Sequence, residues 1–402
     1  MHSKSVLMHR RERHEDTPQT LQIQQLSQAT HDLKQLPPPE DQLVEIMWSE
    51  SFISGFVIIP GFVRSFQDML RKSFAGSPEV LRDAYLAAAA AFVQIQNGEL
   101  GNENLSLNRS SMSIERLRRF QPKDRSQLAL LTRLGMSIVT FEFLTSSSSS
   151  HAIVAHTLLS LKPWLPLRST DLDLDFNVNL LVLMDIVNCV MYREVPIMRH
   201  ETDNTRIDRC VGLTGGLFPV MYDICLVSHK HKYEVKPYRT ESEQDWAALA
   251  LTVQNWHAYE PPGFSGTYQD NEIVTMRTQA SIYRNALLLL IHRIQHPYGE
   301  IDAVAQSWSG SILSSLETSR HVTGRYPLPS FFPLLIASFE VVDSHARAEI
   351  VKAIDAHFPP VLCQFLSKLK RFLKHAWEAK DSGCVLSWDQ MVRLAPRMFF
   401  MP

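Results

Sequence analysis

Asp171, Asp173 and Asp175 alternate with leucines, and three carboxylates this close could hold a magnesium ion for diphosphate chemistry in a helical, terpene synthase-like protein. Alternation gathers them on one side only in an extended segment, whereas helical diphosphate sites set acids one turn apart on facing helices. There is no clear second acidic motif to complete such a site. The three residues are therefore expected to be turn and helix-start acids ahead of Phe176, where a helix N-terminus favours carboxylates. His229 and His231, flanked by Lys230 and Lys232, form a second candidate set. A catalytic zinc needs three protein ligands and no third lies nearby, so these cations are expected at the C-terminal end of a helix. Gly212, Gly215 and Gly216 lack the following Lys-Ser or Lys-Thr and the preceding strand of a phosphate loop. Ser309-Gly310 lacks the flanking glycines of a nucleophile elbow. No catalytic residue, metal ligand or cofactor is expected.

Cysteine chemistry is equally unpromising. Cys189, Cys210, Cys225, Cys363 and Cys384 are scattered, the nearest two standing 15 positions apart. A zinc site built from thiolates needs pairs a few residues apart, and an odd, dispersed set fits a reducing compartment in which cysteines are buried as small apolar residues.

The elements that must carry these residues read as helices. Met276, Ala280, Tyr283, Leu287, Leu290 and Ile294 recur at steps of three and four, and Ala286 to Ile291 is apolar almost all round. That pattern predicts a helix sandwiched between others, stopped by Pro297 and Gly299. Phe331 to Ile354 is a second apolar block. Val361 to Trp377 is a third, with Lys368, Lys370, Arg371 and Lys374 on its wet side. Further helices are expected over Val80 to Ile95, Leu128 to Leu144, Ile153 to Trp164, Leu180 to Tyr192, Val211 to Val227 and Glu243 to Tyr259. The polar run Gly101 to Ser113 reads as a loop, and the serine run within 145–150 as a flexible connector. No alternating period recurs that would build a sheet. The fold class is mostly α, a single large irregular multi-helix array over 41–402 behind a disordered polar and basic tail at 1–40.

The 402 residues are 45% hydrophobic, ample for such a core, and the net charge of -2 gives no overall pull toward nucleic acid. Met1 to Gln25 lacks the apolar core of a secretory signal, and the longest apolar candidate, Phe176 to Tyr192, falls short of a bilayer span. No membrane association is expected. In the tail, Arg10, Arg11 and Arg13 form a basic cluster that is the only local candidate for DNA contact or nuclear import, set against a plain solvated tail.

Several segments bear a family likeness. Ala280-Ser-Ile-Tyr-Arg-Asn-Ala-Leu-Leu-Leu-Leu-Ile-His-Arg, then Phe332-Pro-Leu-Leu-Ile-Ala-Ser-Phe-Glu and Arg347, together resemble the regulatory domain of fungal-specific transcription factors. Ser387-Trp-Asp-Gln-Met with Phe399 and Phe400 is similar to how such domains end. Arg82-Asp-Ala-Tyr-Leu-Ala-Ala-Ala-Ala-Ala-Phe and Gly212-Leu-Thr-Gly-Gly-Leu-Phe-Pro-Val-Met-Tyr-Asp-Ile resemble their earlier helices. The likeness covers 41–402. It lacks the six closely spaced cysteines of the binuclear zinc cluster that places a helix in the major groove; cysteine codons upstream of Met1 would show whether the true start lies earlier. The resemblance implies a nuclear regulator of a biosynthetic or metabolic gene cluster, acting through other transcription factors or a second copy of itself, with a small-molecule effector in an internal groove. Two alternatives stand beside it: an interaction protein that dimerises with zinc-cluster factors and modulates them without touching DNA, and a helical enzyme using the acidic triplet.

Overall fold

Helices form wherever the apolar period of the sequence can be buried on more than one side. The structure, a computed structural model, describes residues 40–97, 103–145, 150–164, 172–202, 205–232, 239–358, 362–394 and 400–402. The chain divides after Gln42, and Leu43–Pro402 is one unit. Among the described residues 77% are helical and there are no strands, only the isolated bridges Asp208 to Gly212 and Tyr298 to Leu386. The disordered tail and the serine connector expected from the sequence fall largely outside the described residues.

In chain order the α-helices are α1 (Glu40–Ile46), α2 (Glu50–Ile53), α3 (Val63–Gly76), α4 (Pro78–Asn97), α5 (Glu103–Arg119), α6 (Arg125–Thr145), α7 (Ser150–Leu161), α8 (Leu172–Tyr192) and α9 (Phe218–Lys230). Then come α10 (Arg239–Asn255), α11 (Phe264–Thr267), α12 (Asp270–Gln295), α13 (Asp302–Thr323), α14 (Phe331–Ser338), α15 (Ser344–His357), α16 (Cys363–Asp381) and α17 (Trp388–Arg393). Two long helices act as axles. α12 begins with a capping box between Gln269 and Glu272, packs chiefly on α13, α14 and α10, and buries Ala286 to Ile291 on every side. α6 is surrounded by α4, α5, α7, α8 and α16. Small residues allow the close approach: Ala84, Ala87, Ala88 and Ala91 of α4 are all buried, and Gly135 of α6 sits directly against Thr157 of α7.

Four sequence expectations need correction. The polar run from Gly101 is not a loop through Ser113; α5 occupies Glu103–Arg119. Ser106, Ser110 and Ser113, three and four residues apart, form a buried face, while Arg109 and Arg116 reach Asp83 of α4 at 2.5 and 3.0 Å. Packing and two ion pairs thus overcome weak helix propensity. Phe331 to Ile354 is two helices, broken because Asp343 caps α15 by accepting the Ala346 amide. The helix expected from Val211 starts only at Phe218, after a short 3-10 turn at Thr214–Leu217. The longest apolar helix is not Phe176 to Tyr192 but α6. It has the length and apolarity of a bilayer span, yet 83% of that stretch is buried by other helices, as in the core helix of a folded domain.

Candidate ligand cavity

The residues singled out in the sequence are held apart by the fold. Asp173 and Asp175 lie on the first turn of α8, a helix rather than an extended segment, so alternation does not set them on one face; their side chains and Asp171 are outside the described residues. His229 is in the last turn of α9, with Nδ1 3.1 Å from the Arg193 carbonyl. His231 follows that helix and, with Lys230, contacts Asp245 of α10, so both histidines serve the helix end as expected. Ser309 donates to the Ala337 carbonyl at 2.8 Å and is buried between α13 and α14. Cys189, Cys210 and Cys225 are buried and burial pushes each thiol up, whereas Cys363 and Cys384 are exposed, against the expectation for that pair. Arg10, Arg11 and Arg13 lie outside the described residues. No group of three His, Cys, Asp or Glu side chains among the described residues is placed to hold a metal ion.

The glycines have a structural task instead. Gly212 has φ +54°, and a β-carbon there would come within 2.5 Å of Ile58 and 2.7 Å of Gln279. Gln279, fully buried on α12, donates to the carbonyls of Cys210 and Leu328 and accepts from Thr214. Asp208 accepts the amides of Cys210 and Val211 and the Asn179 amide group, and Asn179 also meets His200 at 2.7 Å. Burial raises the Asp208 carboxyl and lowers the His200 imidazole to about 4. A polar pocket of about 280 Å³ opens beside this network.

A larger cavity, about 390 Å³, lies between α2, the α4 and α6 helices, α8 and the segment from Arg325 to Phe331. Its walls are Phe52, Phe56, Phe92, Met136, Phe143 and Phe331 with other apolar side chains, a volume and lining suited to a drug-sized apolar molecule. Few polar groups face it. Thr140 is satisfied by the Met136 carbonyl, and Arg325 donates to the Ile58 carbonyl while burial lowers its guanidinium. A recess of about 40 Å³ adjoins the cavity, with Phe52, Phe56, Met136, Thr140 and Leu180 common to both linings.

Arg133 lines that recess. It is 7% exposed, its Nε has no hydrogen-bond acceptor, and no carboxylate among the described residues stands at ion-pair distance from it. The buried Tyr85 hydroxyl is also unpartnered; burial raises it strongly and the Arg133 charge opposes that rise. The apolar pattern of Leu128 to Leu144 predicts a core helix and assigns this cation no role; one arginine inside such a run is the available signal.

The opposite arrangement occurs at the far end of α12. Arg293, fully buried, makes a two-pronged contact with Glu340 at 2.7 and 2.6 Å, reaches Asp302 at 2.6 Å, donates to the carbonyls of Pro297 and Glu300, and lies over the Tyr298 ring. Burial alone would pull this guanidinium down, but hydrogen bonds and charge from Glu340 and Asp302 outweigh it, and the group is raised. Arg347, singled out in the sequence, bridges α15 to Asp381 of α16 and stacks over Trp377.

Among the curated proteins and the solved structures nothing matches this chain. A protein-family profile does: the one described as "Fungal specific transcription factor domain" matches residues 69–401, from within α3 to the last described segment. With that profile over most of its length and described residues that are 77% helical without strands, the chain belongs to the fungal-specific transcription factor domain family.

Proposed function

We propose that this chain is a nuclear transcription regulator that controls a biosynthetic or metabolic gene cluster through protein partners. The observation that carries the reading is the family match across 69–401. The interior is consistent with it: His229, His231, Gly212 and Ser309 each take part in contacts between elements of the fold. On this reading the helical body has two packings of differing partner affinity, and a small molecule in the apolar cavity shifts the balance only through unequal affinity for them. Contact with promoters passes through other transcription factors or a second copy of the chain, with Arg10, Arg11 and Arg13 as the local candidates for direct DNA contact. Catalysis is no part of the proposal. Transcript profiling of a deletion strain tests it. A coherent, contiguous gene set should change, and the same promoters should be recovered by chromatin immunoprecipitation of the tagged protein. An unchanged transcriptome together with empty immunoprecipitates would refute it.

A further inference from the structure

The cavity and the adjoining recess differ in what they would welcome. Apolar walls exclude water and select a hydrophobic body, while Arg133 is nine-tenths buried, its Nε has no acceptor and no carboxylate among the described residues stands at ion-pair distance, so its charge is poorly compensated in a protein interior. From this juxtaposition we infer that the cavity binds a small apolar carboxylic acid, its hydrocarbon body among Phe52, Phe92, Phe143 and Phe331 and its carboxylate on Arg133. The planar guanidinium is suited to this headgroup because it offers paired donors to two carboxylate oxygens. A neutral isostere would fill the same walls but leave Arg133 unpaired. The site would therefore distinguish charge more sharply than chain length. Arg325 also lines the cavity but already donates to the Ile58 carbonyl, so Arg133, whose Nε has no acceptor, is assigned as the anchor.

This inference rests on the cavity being the effector site proposed above, but binding is measured on the full chain without any promoter, so the two can fail separately. Octanoate, dodecanoate and hexadecanoate are titrated calorimetrically below their micellar concentrations, beside the matching alcohols. At least one acid should bind saturably and its alcohol at least about tenfold more weakly, a ratio that one charge-assisted contact readily supplies. Arg133→Met should abolish that preference, and Arg133→Lys should keep part of it. Thr140→Phe, which fills the junction of cavity and recess, should block acid and alcohol alike. The ligand-free Arg133→Met protein should melt at a higher temperature than wild type, a result that a cation already neutralised by the protein would not give. Equal binding of acid and alcohol, no saturable acid binding, an acid preference that survives Arg133→Met or a lower melting point for that variant would overturn the assignment.

Discussion

Arg133 and Arg293 are the same residue type, both buried in long core helices, and their surroundings are opposite. Arg293 meets two carboxylates, two carbonyls and a tyrosine ring, and through them it ties α12 to α13 and to the turn after α14. Arg133 faces a recess lined by Phe52, Phe56 and Phe66, with no acid among the described residues at ion-pair distance. A buried charge that is fully paired belongs to the architecture. One left unpaired beside a cavity marks a place where the architecture is incomplete without a ligand.

The comparison can be broken most forcibly at Glu340. Glu340→Gln removes the charge that neutralises Arg293 and lies 3.7 Å from Lys380, and urea denaturation should show a loss of roughly 3–5 kcal/mol. A loss below about 1 kcal/mol would mean that Asp302 alone suffices for Arg293.

Acid titration is the next largest effect. His200 has an ordinary unfolded pKa near 6.5 and a folded value of about 4, so the unfolded chain binds the proton and the contribution of this group should fall by roughly 3 kcal/mol as pH drops from about 6.5 to 4. Asp185 opposes this. Burial raises its carboxyl to about 6, so the folded state takes up the proton and stability from this group rises over about pH 6 to 4. Relative to wild type, His200→Gln should therefore gain stability on acidification, and Asp185→Asn should lose it. Parallel pH curves for all three proteins would contradict the assignment.

Replacing the unpaired cation comes third: Arg133→Met should raise the unfolding free energy by about 1–2 kcal/mol, the reverse of the Glu340 result. The smallest effect sharpens the contrast with a site where no charge is involved. Gly310 lies inside α13 with open space where a β-carbon would stand, so Gly310→Ala should stabilise by about 0.4–1 kcal/mol, read as a modest rise in thermal midpoint.

The architecture was legible in the sequence wherever an apolar stripe was long. Ala286 to Ile291 announced a helix covered on every side, and the stripe of Phe365, Leu369, Phe372 and Ala376 announced one wet and one dry face on α16. The polar segment of α5 reads as a loop because serines disfavour helices in isolation, whereas Asp83, more than twenty residues upstream, pairs with Arg109 and Arg116 and favours burial of that face. The break between α14 and α15 rests on a local signal, the Asp343 cap, which the continuous apolar reading of Phe331 to Ile354 overrides. The candidate cavity was the least legible feature. Its walls come from α2, α4, α6, α8, the Arg325 to Phe331 segment and the last two residues, so no local pattern encodes it. Arg133 was visible as a letter, but its missing partner is a property of the fold alone.

Urea denaturation of Arg133→Met and Glu340→Gln, measured side by side without ligand and referred to wild type, tests the contrast between the two arginines most directly. The account predicts changes of opposite sign, a gain for the first and a loss for the second. Two losses of similar size would show that Arg133 is already paired within the fold, and would contradict it.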